Sequence, residues 1–301
     1  MTGQRAATEP YVTRFETEVT SIDGRRVWLE SSYFYGESGG QPADRGTIGG
    51  VDVTDVRVEG GEPVHYLAEE PSFTVGHRVL CSIDWSFRMY CMRAHTASHV
   101  LYGAARRELE DLEYAGIDVD EKRVRVDLET ATPIDDELLF ELDERINRVV
   151  WESRPVSWED VPVARARERE AVTFSEATDA NAVANGRVRL VTIGSEDDNG
   201  NGSRPGFGNG ATVTVSGGNG SQEPWDVAAC GGTHVRNTRE IGPVTVLGRS
   251  NRGDGVTGIE LAVGPAAIER RTAEKRIAFE ASRALETPIG DVPDELRRSL
   301  E

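Results

Sequence analysis

Asp84-Trp85-Ser86-Phe87-Arg88-Met89-Tyr90-Cys91-Met92-Arg93-Ala94-His95-Thr96-Ala97-Ser98-His99-Val100-Leu101-Tyr102 is the stretch on which the reading of the whole chain turns. Asp84 is a good helix N-cap, because its carboxylate can accept the free N–H groups of a first turn. No glycine or proline interrupts the run that follows, and Phe87, Cys91, His95 and His99 recur at helical spacing. The pattern predicts a helix over 85–111. On it His95 and His99 stand one turn apart, so two imidazoles can converge on one point.

Upstream the character differs. Residues 11–21, 26–32, 51–58, 64–68 and 79–83 are short alternating or apolar runs separated by turn residues, with a break at Ser38-Gly39-Gly40-Gln41-Pro42. Strands at such spacing suggest a small barrel or sandwich. Downstream, 122–129 and 187–193 alternate as strands. Asp135 caps a helix over 135–152 whose stripe is Leu138, Leu139, Leu142, Ile146 and Val149. Residues 195–224 are rich in Gly, Asn and Ser and read as a flexible insertion. They lack the strand-then-helix setting and the Gly-Lys-Ser/Thr ending of a phosphate loop. Strands return at 244–248 and 256–263. The chain is then helical to about 286, stops at Thr287-Pro288, and resumes at 291–300. Strand clusters and helices segregated in sequence make this an α+β fold. The expected domains are a β-barrel over 1–84, an α+β unit over 85–265 and a helical segment over 266–301. That last hairpin buries little alone, so it is expected to pack on a second copy, as a homodimer, or on a continuation of the chain.

Charge narrows the function. Asp and Glu number 52 against 34 Lys and Arg, a net charge of −18, and only Lys122 and Lys275 are lysines. This balance argues against binding nucleic acid mainly through a basic face, but not against a local basic groove. Acid excess with scarce lysine fits a protein working in concentrated salt, where screening shortens the reach of self-repulsion to roughly 3 Å at 1 M. No apolar run approaches transmembrane length and the N-terminus has no signal-peptide pattern, so a cytoplasmic protein is expected. Cys81, Cys91 and Cys230 form no disulfide framework.

Far from the histidine helix lies Cys230-Gly231-Gly232-Thr233-His234, whose glycines allow a tight fold that turns sulfur and imidazole to one point. His95, His99, Cys230 and His234 together offer three nitrogens and a thiolate, a set that suits zinc. Thr96 stands where a zinc protease carries its glutamate base, and the pairs lie more than a hundred residues apart, too far for a small zinc finger. Cys91, one turn before His95, competes as a ligand but reads as a buried apolar residue. Thr96 is the catalytic candidate: its hydroxyl can accept a hydrogen bond from a substrate side chain or position water, the alternative being that it packs or bonds the preceding helical turn.

At these residues the chain resembles a known family. Arg93-Ala94-His95-Thr96-Ala97-Ser98-His99 and Cys230-Gly231-Gly232-Thr233-His234 resemble the two metal motifs of the alanyl-tRNA synthetase editing domain and of its free-standing AlaX-type relatives. Phe34-Tyr35-Gly36-Glu37-Ser38-Gly39-Gly40-Gln41-Pro42-Ala43-Asp44-Arg45-Gly46 resembles the glycine-rich segment of the longer AlaX types, with Ser38 in place of the first of three glycines. The likeness runs over roughly 10–265. It implies a translation-factor-like β-barrel followed by an α+β editing domain, and a hydrolase that deacylates tRNA(Ala) wrongly charged with serine or glycine. It carries zinc over to His95, His99, Cys230 and His234, and marks Gly39, Gly40, Gln41 and Asp44 for contact with substrate or tRNA. Arg45, Arg88, Arg93, Arg236, Arg239, Arg249 and Arg252 lie near the motifs and are the candidates for RNA phosphates; Arg123 and Arg125 are weaker ones.

Two questions stay open in the sequence. Four protein ligands fill a tetrahedral zinc, so a ligand leaves, the coordination expands, or the metal only orients substrate. A closed structural zinc in a tRNA-binding module, the editing portion of a larger synthetase, and an unrelated zinc esterase are the competing functions.

Overall fold

A computed structural model describes residues 5–169, 171–174, 182–194 and 223–300. Residues 195–222 of the expected insertion lie outside the described residues.

Six strands close an N-terminal barrel: β1 (Arg14–Asp23), β2 (Arg26–Leu29), β3 (Gly46–Ile48), β4 (Val51–Glu59), β5 (Glu62–Leu67) and β6 (Arg78–Ile83). Their order is β1-β2-β5-β4-β3-β6, antiparallel throughout, with β6 returning to β1. Closure removes the sheet edges. Period-two alternation turns Val19, Val27, Leu29, Ile48, Val56, Leu67 and Cys81 into one apolar interior.

Helix α1 (Trp85–Ala105) begins where Asp84 accepts the N–H groups of Ser86 and Phe87. It is buried along most of its surface, because strands and α2 pack around it. The remaining elements are β7 (Glu113–Val119), β8 (Val124–Glu129), α2 (Asp136–Trp151), β9 (Val156–Pro162), α3 (Val163–Arg167), β10 (Val172–Thr173), β11 (Val183–Ala184), β12 (Arg187–Ile193), β13 (Asp226–Ala229), β14 (Val244–Gly253), β15 (Val256–Val263), α4 (Pro265–Ala284) and α5 (Val292–Leu300). One sheet runs β14-β15-β8-β7; the other runs β10-β13-β12-β11, with β9 also on β12. The main core joins Met92, Val100 and Leu101 of α1 to Val126 and Leu128 of β8, Leu142 and Ile146 of α2, and Ile259 and Leu261 of β15.

The helix expected to reach 111 ends at Ala105. Leu109 turns back into the core, and the chain beyond it pairs with β8 as β7. The C-terminal helices run over Pro265–Ala284 and Val292–Leu300; of their residues only Ala267 is buried. Among the described residues, no helix is long and apolar enough to cross a membrane.

Two contacts seat the barrel on the α+β unit. Arg88 of α1 is fully buried; its Nε donates to Asp44 Oδ1 at 2.9 Å, and its Nη1 and Nη2 donate to the carbonyls of Pro10 at 2.8 Å and Tyr33 at 2.7 Å. A charge so far from water is tolerable only when paired this completely. The second contact is the turn Ser38–Gln41. Gly39 and Gly40 both have positive φ, 54° and 76°, as a two-residue primed turn requires. Gly40 accepts from the Val119 N–H at 2.9 Å, and a Cβ there would lie 1.8 Å from the Ile117 carbonyl oxygen. Only glycine lets the barrel approach β7 this closely.

Candidate metal centre

The four sequence-derived ligands meet. One ligand atom from each of His95, His99, Cys230 and His234 lies within 4.8 Å of all the others. His95 and His99 come from successive turns of α1. Cys230 directly follows β13, and the chain turns over Gly231 and Gly232 to bring His234 back. A Cβ on Gly232 would stand 2.1 Å from the His95 ring, so glycine is the residue that fits against the first ligand.

Donor geometry decides whether the group fits a metal. Cys230 Sγ lies 3.4 Å from His95 Nε2 and 3.3 Å from His234 Nε2. Ordinary zinc bond lengths at a tetrahedral angle give a sulfur–nitrogen edge of about 3.5 Å. The nitrogens facing the sulfur are thus set near the spacing of a four-coordinate ion.

The outward nitrogens are held as well. His95 Nδ1 meets Gln41 Oε1 at 2.9 Å, His99 Nδ1 meets Asp226 Oδ2 at 2.8 Å, and His234 Nδ1 meets Thr96 Oγ1 at 3.2 Å. Each partner can accept, which places the proton on Nδ1 and leaves the Nε2 lone pair turned inward. Gln41 Oε1 also accepts from the Thr233 N–H at 3.0 Å, and its Nε2 donates to Thr233 Oγ1 at 2.9 Å. Such outer partners orient imidazoles and raise their basicity in metal sites.

Charge follows the same plan. Burial alone would raise the Cys230 thiol, yet the His95 and His234 rings beside it hold it well below the usual range. Burial pushes His234 down to about 3, which keeps that ring neutral. At His99 burial again opposes charge, but Asp226 and the Cys230 sulfur outweigh it and raise the ring to about 10. A metal takes a thiolate and neutral imidazoles, so its binding to this cluster would compete with protons.

The other sequence candidates have definite places. Thr96 is fully buried; its hydroxyl donates to the Met92 carbonyl at 2.7 Å and accepts from the Val235 N–H at 3.2 Å as well as from His234. The hydroxyl therefore meets one imidazole of the cluster and two backbone groups. Asp44 belongs to the Arg88 pair, and Gly39 and Gly40 to the docking turn. Cys91 is buried outside the cluster, and burial pushes its thiol up to about 12. Arg88 is inside, Arg45 pairs with Glu121, Arg249 with Asp136, Arg123 with Asp120 and Glu260, and Arg125 with Asp118 and Asp127. Arg93 donates to the Glu240 carbonyl, and Arg236 lies over the Tyr11 ring. Arg239 and Arg252 carry no ion pair among the described residues.

Two participants were missed in the sequence. Asp226 stands at the start of β13, and no spacing rule ties it to His99, 127 residues away. Arg189, on β12, is buried and donates to the carbonyls of Cys230 at 2.7 Å and Gly232 at 3.0 Å, fixing the ligand loop. It reads in sequence as one more alternating strand residue.

Comparison with known proteins agrees with the site. The model of the threonyl and alanyl tRNA synthetase second additional domain matches residues 188–260, and that of class II (A) tRNA synthetases matches residues 6–87. The alanine–tRNA ligase of Pyrococcus abyssi is 33% identical over 296 residues, covering 96% of this chain and 29% of the ligase. That of Methanothrix thermoacetophila is 34% identical over 298 residues, covering 97% and 29%. That of Methanosarcina mazei is 30% identical over 300 residues, again covering 97% and 29%. The chain spans less than a third of the length of these curated relatives. With its barrel and its second additional domain both matched, the chain is related to alanine–tRNA ligases over 96% of its own length.

Proposed function

We propose that this chain is an aminoacyl-tRNA deacylase that hydrolyses the ester of tRNA(Ala) mischarged with serine or glycine, with zinc held by His95, His99, Cys230 and His234. The observation that carries the reading is the convergence of these four donors with every outward imidazole nitrogen already bonded. A bound zinc would supply Lewis acidity, which polarises an ester carbonyl or acidifies water.

The chain's own residues set where substrate approaches. His99 is the most open of the four, with its side chain 12% exposed, whereas the other three are buried. One turn further along α1, Tyr102 and Arg106 line a cavity of about 810 Å³ together with Tyr114, Thr173 and Phe174. Arg106 Nη1 stands 3.9 Å from Asp226 Oδ1, so the cavity wall adjoins the carboxylate that holds His99. Such a volume suits a terminal nucleoside carrying a small amino acid. The tyrosines offer faces for a base and Arg106 a fork for a phosphate. A site that hydrogen-bonds the serine hydroxyl would disfavour alanine, which lacks it. Whether the residues act as a separate trans-editing protein or as the editing portion of a longer ligase, the chemistry of the site is the same.

A second reading has one observation behind it. Four protein donors complete a tetrahedral ion, as in closed structural sites, and the chain would then be a zinc-stabilised tRNA-binding module. Deacylation of Ser-, Gly- and Ala-tRNA(Ala), with chelator and with zinc restored, separates the two. Release of serine or glycine that stops on chelation and returns with zinc is expected. Stoichiometric zinc with no release at low or high salt overturns the hydrolase reading and leaves the module.

A further inference from the structure

The barrel contributes to the metal centre through one side chain. Gln41 is fully buried at the foot of the Ser38–Gln41 turn, on an element that supplies no ligand. Its carbonyl oxygen accepts from His95 Nδ1 at 2.9 Å and from the Thr233 N–H at 3.0 Å, while its amide donates to Thr233 Oγ1 at 2.9 Å. The amide orientation is fixed by this set: a flipped carboxamide would point a donor at two donors. Gln41 thus binds the first ligand on α1 and, through Thr233, the loop that carries Cys230 and His234. Thr96, on α1 itself, makes the other such tie through His234 and the Val235 N–H, but Gln41 makes it from the barrel.

We infer that Gln41 is a positioning residue that makes the metal centre depend on barrel docking. This inference rests on the proposed zinc site. The Gly39-Gly40 turn sets the distance, since Gly40 rests directly on Ile117 and receives Val119. With Gln41 in place, His95 keeps its proton on Nδ1 and presents Nε2 to the cluster, and the Cys230–His234 loop is held at the same level. Without it, the His95 ring can rotate or change tautomer and the ligand loop loses a brace. Gln41 meets His95 at Nδ1, on the side of the ring away from the Cys230 sulfur, so its bonds described here act on the clustered donors.

Zinc binding and the cobalt(II) absorption spectrum test this on the full chain, independently of deacylation. Competition with a chromophoric chelator should show Gln41→Met binding zinc about 10–100-fold more weakly. Its cobalt band should be displaced, while the circular dichroism of the barrel is kept. Gln41→Glu retains an acceptor for both His95 and Thr233, so its affinity should stay close to that of the natural chain. Zinc affinity and cobalt band both unchanged in Gln41→Met would overturn the inference. Should Gln41→Met fail to fold, Gln41→Ala takes its place with the same readouts. Weaker zinc binding and a displaced cobalt band in it support positioning through His95, and both unchanged refute it. If the natural chain itself takes up no zinc, the proposed site has failed rather than the role of Gln41.

Discussion

Thr96→Val separates two roles for one hydroxyl. Valine nearly matches threonine in shape, so the change removes bonding and little volume. Three bonds are lost: to the Met92 carbonyl at 2.7 Å, from the Val235 N–H at 3.2 Å, and from His234 Nδ1 at 3.2 Å. The Met92 carbonyl keeps its helical partner, so that loss is small. The Val235 N–H is buried with no other acceptor among the described residues, and leaving it unpaired costs about 1–3 kcal/mol. His234 loses the group that fixes its ring, and loss of such an outer partner weakens metal binding about 10–100-fold. A lower melting temperature and weaker zinc binding should therefore appear together. Serine and glycine release should fall in the same proportion, because the hydroxyl acts through His234. Thermal melts, chelator competition and deacylation of the three charged tRNAs read all of this on one preparation. A variant that melts and binds zinc like the natural chain, yet no longer separates seryl from alanyl substrate, would return the hydroxyl to the substrate and refute the positioning role.

Two further predictions concern the frame of the site. His65 is buried in the barrel between Ser32 Oγ at 2.8 Å and the Val27 carbonyl at 3.0 Å, and burial pushes it down to about 4. The unfolded chain takes up this proton below about 6.5. The contribution is therefore complete above that pH and is lost as pH falls towards 4, by about 3 kcal/mol; His65→Gln should flatten that part of the curve in urea melts, and equal slopes in both proteins would disprove the cause. With a net charge of −18, the chain should melt higher in multimolar KCl than in dilute buffer, and the same melting temperature in both would end the concentrated-salt reading.

The sequence carried local information well and long-range information poorly. Barrel strands such as β4 and β6 were legible because alternation with a buried face is a local pattern. The start of α1 was legible because Asp84 caps it with its own side chain. Its end was not: residues 106–112 are good helix formers, and the turn of Leu109 into the core with the pairing of β7 on β8 overrides that preference. The ligand types could be read from two short motifs. Their outer partners could not, because Gln41 and Asp226 lie 54 and 127 residues from the rings they hold. Thr96 was noticed for its place beside His95, but local sequence could not tell that its hydroxyl meets His234, 138 residues away.

The three outer acceptors come from three different parts of the fold: a barrel turn, the helix itself and the first residue of β13. A mutation that frees any one of them leaves every ligand in place but loosens the geometry that lets them act together. Arg88 and Asp44 add a fourth tie, since their buried pair fixes the barrel against the same helix that carries His95 and His99. Removing one member would strand the other charge away from water, at a cost of about 3–5 kcal/mol. Separating the barrel from the α+β unit would therefore break both this pair and the Gln41 bond to His95. On the proposed function, a protein with few lysines and most of its described arginines occupied near the site would recognise RNA through shape and a few local guanidinium groups rather than a broad field of positive charge. The placement of Arg106 at the cavity next to His99 fits that proposal: it would offer one fork to an acceptor end in place of a basic face along the stem.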